Sequence, residues 1–401
     1  MSEGRGRWPT RRLLALDWLV LESGRERFLE RLFATLCSKL LEDGLPIGRS
    51  TLHLRTLHPQ FFGARLVWRP GMEEAEIGFF GHHTISERRF LDSPVRALYE
   101  GAEAIHQRLD LEAPAPREYP VYAELRAEGM TDYVAMPMTF TDGSRHACTW
   151  ATKRPGGFRP ADLAALGELL PALAMVTEIR LSRRIARNLL DAYVGRHAGA
   201  RILAGEIRRG SGATVRAAIW QSDLRDFTTI VESLPRDAVI ECLNGFFECM
   251  GAPVEAQGGE ILKFVGDGML AIFPLEAAAA CHRALRAAVE ARRGLARLNA
   301  ERRGRGQEPL RFALALHVGD VMYGNIGTPT RLDFTVIGPA VNVAARLQQL
   351  AKELDRDVVL SGPFAAMCAC DAEFLEPLGR FPLRGVPEPV EVLALVDRSR
   401  S

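Results

Sequence analysis

Two short apolar runs, Glu260-Ile-Leu-Lys-Phe-Val265 and Met269-Leu-Ala-Ile-Phe273, flank Gly266-Asp267-Gly268. A spacer of that length and composition admits little except a tight reversal, so the runs should pair as an antiparallel hairpin with Asp267 at its tip. Elements of both kinds surround the hairpin. Val215-Arg-Ala-Ala-Ile-Trp220 reads as a strand, and Pro235 to about Val254 as a helix with proline early, where it is tolerated. Ala277 to about Arg303 reads as a long, Ala- and Arg-rich helix, Leu310 to Val318 as a strand, and Ala340 to Leu354 as a helix. A short sheet should close the chain. Residues 213–396 are therefore expected to form an α+β unit.

The preceding residues read differently. Phe28, Leu29, Leu32, Phe33, Leu36, Leu40 and Leu41 recur at helical spacing between Gly24 and Asp43. Ser50 to Leu57 alternates polar and apolar, as a half-buried strand does, and 76–80, 131–138 and 146–151 are further strands, the last two joined by an Asp142-Gly143 turn. From Asp162 to about Arg208 the pattern is helical, with Leu163, Leu166, Leu170, Leu173, Val176 and Ile179 in one stripe. Such a stripe is either ordinary core or the seam of a parallel inter-chain helix pair. The expected organisation is a domain at 1–160, a helical linker at 161–210 and a second domain at 211–401.

Composition removes several classes. The chain has 401 residues, 51 basic and 50 acidic, without the basic excess of a nucleic-acid or anionic-membrane binder. No apolar run reaches the roughly 18 residues of a membrane span. An acid among Met1–Arg5 argues against a signal peptide, and seven scattered cysteines, including Cys368 and Cys370, fit reduced thiols and a cytoplasmic location rather than a zinc site. Only four residues are lysine, Lys39, Lys153, Lys263 and Lys352, against 47 arginines. Where arginine is the default cation, a lysine is worth inspecting for its compact ammonium.

Taken singly, Asp223 and Asp267 read as cap or turn residues. Together they read as chemistry. Asp223 follows the strand ending at Trp220 and precedes the helix start at Phe227-Thr228. If strands 215–222 and 260–265 are neighbours, both carboxylates lie at one sheet edge. There they would hold divalent ions, Mg²⁺ or Mn²⁺, with backbone N–H groups at Phe227 and Thr228 facing a triphosphate.

Five ordered motifs resemble the class III nucleotidyl cyclases. Gln221-Ser-Asp-Leu-Arg-Asp-Phe-Thr228 is similar to the first metal motif and Gly258 to Gly268 to the second. Leu316 to Gly324 is similar to the central strand pair, Asp333 to Gly338 to the segment carrying a base-reading residue, and Val341-Asn-Val-Ala-Ala-Arg346 to the transition-state motif. The resemblance implies a ferredoxin-like βαββαβ palm, two ions per site on Asp223 and Asp267, base reading by Lys263 and Thr335, catalysis by Asn342 and Arg346, and a phosphate contact from Arg384. It also implies a homodimer with shared sites, converting ATP to 3′,5′-cyclic AMP and pyrophosphate.

Asn342 and Arg346, four apart, share a helix face. A guanylyl member is expected to carry an acid in place of Lys263 and a small residue such as cysteine in place of Thr335. Two departures stand out: Gln221 replaces an apolar aromatic, and Asp226 replaces a glycine. Asp226 either adds negative charge near the triphosphate, leaving a catalytically weak nucleotide-binding module, or caps the following helix. Gly258-Gly-Glu260 superficially suggests a diguanylate cyclase, but Ile261-Leu262 replaces the acidic-aromatic continuation. Residues 25–178 resemble a GAF-type sensor domain, through Gly129 to Met138, Asp142-Gly143, Gly157-Phe158 and Asp162-Leu163. That implies a regulatory small-molecule ligand, which the sequence does not name, and His53, His58, His82 and His83 read there as surface or loop residues.

Overall fold

The computed structural model describes residues 13–111, 117–276, 279–368 and 375–396. The expectations attached to Met1–Arg5, to a helix start at Ala277 and to Cys370 lie outside them. The chain divides into two compact units, Met1–Leu189 and Leu190–Ser401.

The first unit begins with helices α1 (Leu14–Leu21) and α2 (Leu29–Glu42). It continues through β1 (Arg49–Arg55), β2 (Phe61–Trp68), β3 (Glu76–Gly81), α3 (Arg88–Leu91), α4 (Pro94–Tyr99), β4 (Ile105–Arg108), α5 (Pro120–Ala127), β5 (Asp132–Thr139), β6 (Arg145–Thr152) and α6 (Pro160–Val194). The strands form one antiparallel sheet in the order β3-β2-β1-β6-β5-β4. The alternation in β1 decides its faces. Leu52 and Leu54 point into a core with α2 and α6, and the opposite set, Arg49, Thr51 and His53, faces a cavity. Strands β2 and β4 escaped the sequence reading because their apolar residues do not alternate cleanly.

The first half of the helical stripe at 162–208 is mainly core. Leu166, Leu169, Leu173 and Leu181 of α6 are buried against the sheet and α2, whereas Ile179 is exposed. The helix is also not continuous to Arg208. Gly195, at φ 85°, ends it before α7 (Arg196–Leu203).

Inside this unit His146 is buried, and its Nδ1 accepts the Arg55 backbone N–H at 3.1 Å. A proton on Nδ1 would break that bond, and burial holds the imidazole down at about 4. The unfolded chain takes up a proton near pH 6.5, so the native state loses stability as pH falls from there toward 4. We expect His146 to account for about 2 kcal/mol of the stability lost between pH 7 and pH 5. Urea unfolding at both pH values should show that loss reduced in His146→Asn, which keeps an acceptor but cannot titrate.

The second unit continues from α7 with β7 (Gly212–Leu224), α8 (Phe227–Ser233), α9 (Arg236–Ala256), β8 (Glu260–Val265), β9 (Gly268–Pro274), α10 (Ala280–Gly304) and β10 (Phe312–Gly327). It closes with β11 (Leu332–Ile337), α11 (Pro339–Glu353), β12 (Val358–Ser361), α12 (Gly362–Met367), β13 (Leu375–Phe381) and β14 (Val390–Leu395). Across the sheet, β10-β7-β9-β8 run in that order with every neighbour antiparallel. For a βαββαβ chain that is spatial order 4-1-3-2, the ferredoxin-like palm. Strands β12, β14 and β13 extend it beyond β10. Helices α9 and α10 cover one face through Phe246, Met250, Ala284, Ala288 and Leu295. The Gly258-Gly259 pair is explained by packing: Gly258 takes φ +74° after α9, and a Cβ on Gly259 would lie 2.6 Å from Phe273.

Candidate active site

Asp223 lies within β7, not after it, because the strand runs on to Leu224. Its register partners are Gly268 on β9 and Ala313 on β10. Since Gly268 opens β9 directly after the turn, this register delivers Asp267 beside Asp223. Asp267 is pushed up to about 6, by burial first and then by the neighbouring Asp223 carboxyl. A Cβ on Gly268 would lie 3.2 Å from the Ser222 and Val265 carbonyl oxygens, so the close backbone of the turn favours glycine there.

A third charge was missed by the sequence reading. Lys352, on the last turn of α11, donates to Asp223 Oδ2 at 2.5 Å, and Gln348 one turn earlier reaches the same oxygen at 3.5 Å. Neither partner is freely solvated: their side chains are 28% and 23% exposed for Lys352 and Asp223. The signal was available, since Lys352 is one of only four lysines. Its anchor was not legible. Arg225, two residues after Asp223, is buried and donates to Phe312 O, Ala351 O, Arg356 O and Asp355, which ties the end of β7 to the end of α11. That clamp sets the helix where Lys352 meets Asp223.

The base-reading candidates lie on two strands that pack together, β8 and β11. Lys263 is half-buried on β8. Thr335, on β11, is 4% exposed and its Oγ1 has no hydrogen-bond partner among the described residues. Strand β11 packs over β8, where Phe334 and Val336 share a cluster with Leu262. The approach is fixed by Tyr323, which donates to Glu260 at 2.5 Å and meets Phe334 edge-on at 4.7 Å. A buried hydroxyl without a partner is costly unless something supplies one.

Asn342 and Arg346 are both exposed on α11. On a 3.6-residue helix their face lies roughly 120° from that of Gln348 and Lys352. One helix therefore aims Lys352 at its own Asp223 and leaves Asn342 and Arg346 facing away. Arg384 is exposed in the turn between β13 and β14. Phe227 packs on the core and Thr228 is exposed in the first turn of α8. Asp226 takes φ 57° at the N-cap without a side-chain cap bond. The capping expectation is thus corrected. The backbone is left-handed there, a conformation that aspartate tolerates and glycine favours.

Residues 212–392 match the family of adenylate and guanylate cyclase catalytic domains. The second unit contains a cyclase catalytic domain. This cyclase domain is similar to an adenylate cyclase of Anabaena cylindrica, 31% identical over 172 residues, which are 42% of this chain and 34% of the relative. It is also similar to adenylate cyclase 1 of Rhizobium meliloti, 30% identical over 206 residues, 49% of this chain and 31% of the relative. The chain spans about a third of the length of these curated relatives. A solved adenylyl cyclase of P. aeruginosa covers 47% of this chain with 96% of its own, at 25% identity and a TM-score of 0.42. Among the described residues of both units, no cluster of three or more metal-ligating side chains occurs. The six described cysteines make no disulfide. No helix among the described residues is long and apolar enough to cross a membrane.

Proposed function

We propose that the protein is an adenylate cyclase that converts ATP to 3′,5′-cyclic AMP and pyrophosphate at sites shared by two copies of the cyclase domain. The observation that carries this reading is the placement of Asp267, in the turn before β9, beside Asp223 on the interior strand β7 of a 4-1-3-2 palm. Two hard carboxylates pushed against one another, one of them with a raised pKa, are a donor set suited to Mg²⁺ or Mn²⁺. Divalent ions bound there would neutralise the triphosphate and favour ionisation of the attacking 3′-hydroxyl.

The remaining roles belong to side chains. Lys263 donates to the adenine N1 acceptor and Thr335 Oγ1 accepts from the exocyclic amine, which satisfies its orphaned oxygen. Asn342 orients the ribose so that its 3′-oxygen meets the α-phosphorus in line with departing pyrophosphate. Arg346 forks onto charge developing on the phosphates, and Arg384 contacts the phosphate end. Residues 1–160 act as a GAF-like regulatory domain, 161–210 as the connecting segment and 211–401 as the catalytic domain.

The direct test is purified protein with Mg²⁺ or Mn²⁺ and either ATP or GTP, with the product identified by mass. Cyclic AMP is expected as the main product. Lys263→Glu combined with Thr335→Cys should erode the preference for ATP, because the hydrogen-bond polarity facing the base reverses. A preference for GTP in the unmodified protein sinks the adenylate assignment, and no product from either nucleotide favours a weak nucleotide-binding module.

Lys352 supplies a further prediction. Ions entering the carboxylate pair must displace its ammonium from Asp223. A charge-assisted hydrogen bond of this kind is worth about 1.5–3 kcal/mol. Lys352→Met should therefore tighten Mn²⁺ binding on the order of tenfold, read from the free Mn²⁺ signal in electron paramagnetic resonance. Unchanged or weaker binding would show that Lys352 does not compete with the ions.

A further inference from the structure

The polar face of β1 opens onto a cavity of about 700 Å³ in the first unit, closed on the far side by residues 84–99 and α5. That volume lies within the range that holds small organic ligands. Its walls are apolar and aromatic, with Phe62, Phe80, Phe90 and Tyr99 among them. Its floor is polar: Thr51 Oγ1 bridges His53 Nε2 at 2.9 Å and Thr149 Oγ1 at 2.7 Å.

The charges in the wall are unequally satisfied. Glu124 is held by Arg49 at 3.0 Å and Arg89 at 3.3 Å. Asp92 is paired with Arg117 at 3.1 Å, and the solvent-exposed Glu87 lies 3.4 Å from His83, a contact that is ionic only when the imidazole is protonated. Glu124 and Asp92 thus have cationic partners. Arg65 has neither an ion pair nor a hydrogen-bond partner among the described residues, and its buried Nε is unsatisfied. It lies over the Phe80 ring, 5.6 Å from the centroid. Arg49, although paired, also keeps an unsatisfied buried Nε. Burial, together with Arg49 and Arg89 nearby, makes the charged state of Arg65 harder to hold than in water. Glu124, already shared by Arg49 and Arg89, offsets that charge only in part, and a guanidinium without an ion pair in an aromatic cavity is the complement of a carboxylate or phosphate borne on an apolar body.

We propose that this cavity binds a small organic anion, with the carboxylate or phosphate on Arg65 and the apolar body between Phe62, Phe80 and Phe90. The proposal is independent of the reaction assigned to the cyclase domain, because its test reads binding alone. Three probes of one shape separate the chemistry: 2-naphthoate, 2-naphthyl phosphate and the neutral 2-naphthamide, each titrated calorimetrically into the full chain. At least one anion should bind ten times or more tighter than the amide, and which anion binds tighter tells a carboxylate site from a phosphate site. Arg65→Met should bring acid and amide within twofold of each other, and Arg65→Lys should keep part of the preference. Because Arg65 makes no ion pair or hydrogen bond among the described residues and methionine keeps an apolar contact with the Phe80 ring, Arg65→Met should hold or raise the thermal midpoint of the ligand-free protein. Equal binding of acid and amide, no binding of either anion, a preference that survives Arg65→Met, or a lowered midpoint in that variant would each overturn the proposal.

Discussion

Asp223→Ala and Asp267→Ala should each reduce cyclase turnover by on the order of a thousandfold or more, as loss of a principal electrostatic element of a polar active site does. The fold should survive both. In Asp267→Ala the ion-free protein is relieved of a carboxyl that burial and Asp223 hold up at about 6. In Asp223→Ala the loss is the bond to Lys352, whose side chain keeps 28% exposure and regains water. Circular dichroism and thermal midpoints near those of the unmodified protein, together with turnover at background, are the expected results. Near-normal turnover in either variant removes the carboxylate pair from the mechanism. The effect should separate from that of Lys352→Met, which alters ion affinity while leaving both carboxylates in place.

Mixing two dead chains should restore activity. Lys263 precedes Asp267 by four residues on β8 and its turn, about 13 Å of extended chain. The α11 geometry adds a second, independent constraint. Lys352 faces its own Asp223, so Asn342 and Arg346, on a face roughly 120° away, are free to serve a nucleotide bound against another copy's carboxylates. A two-fold dimer then contains two equivalent composite sites. An Asp223→Ala chain paired with an Arg346→Ala chain has one site with both defects and one with neither. Half of randomly paired dimers are mixed, so roughly a quarter of the unmodified activity should return. A mixture that stays dead while subunit exchange is demonstrated, or an active species that sediments as a monomer, refutes the shared site.

Much of the cyclase domain was legible because local patterns and global fold agree there. The Gly266-Asp267-Gly268 turn fixed a hairpin, and the helix and strand periods on either side left few ways to build a sheet around it. The first unit was less legible. Strands β2 and β4 lack clean alternation, and the long stripe of α6 looks the same whether it covers a sheet or another helix. Only packing shows that Leu166, Leu169, Leu173 and Leu181 are spent on the core of this unit.

The site divides along the same line. By itself the sequence determined the identities and order of Asp223, Lys263, Asp267, Thr335, Asn342 and Arg346, because each sits in a motif only a few residues long. Tertiary structure alone decided which of them meet. The β7–β9 register brings Asp223 against Asp267, and β11 folding over β8 leaves Thr335 buried without a partner. The Arg225 clamp sets α11 so that Lys352 reaches Asp223 across 129 residues of chain. The physical reason is range. Strand, turn and cap preferences act over a few residues, whereas the placement of one charge against another depends on sheet register and helix rotation, which are fixed by packing between distant segments.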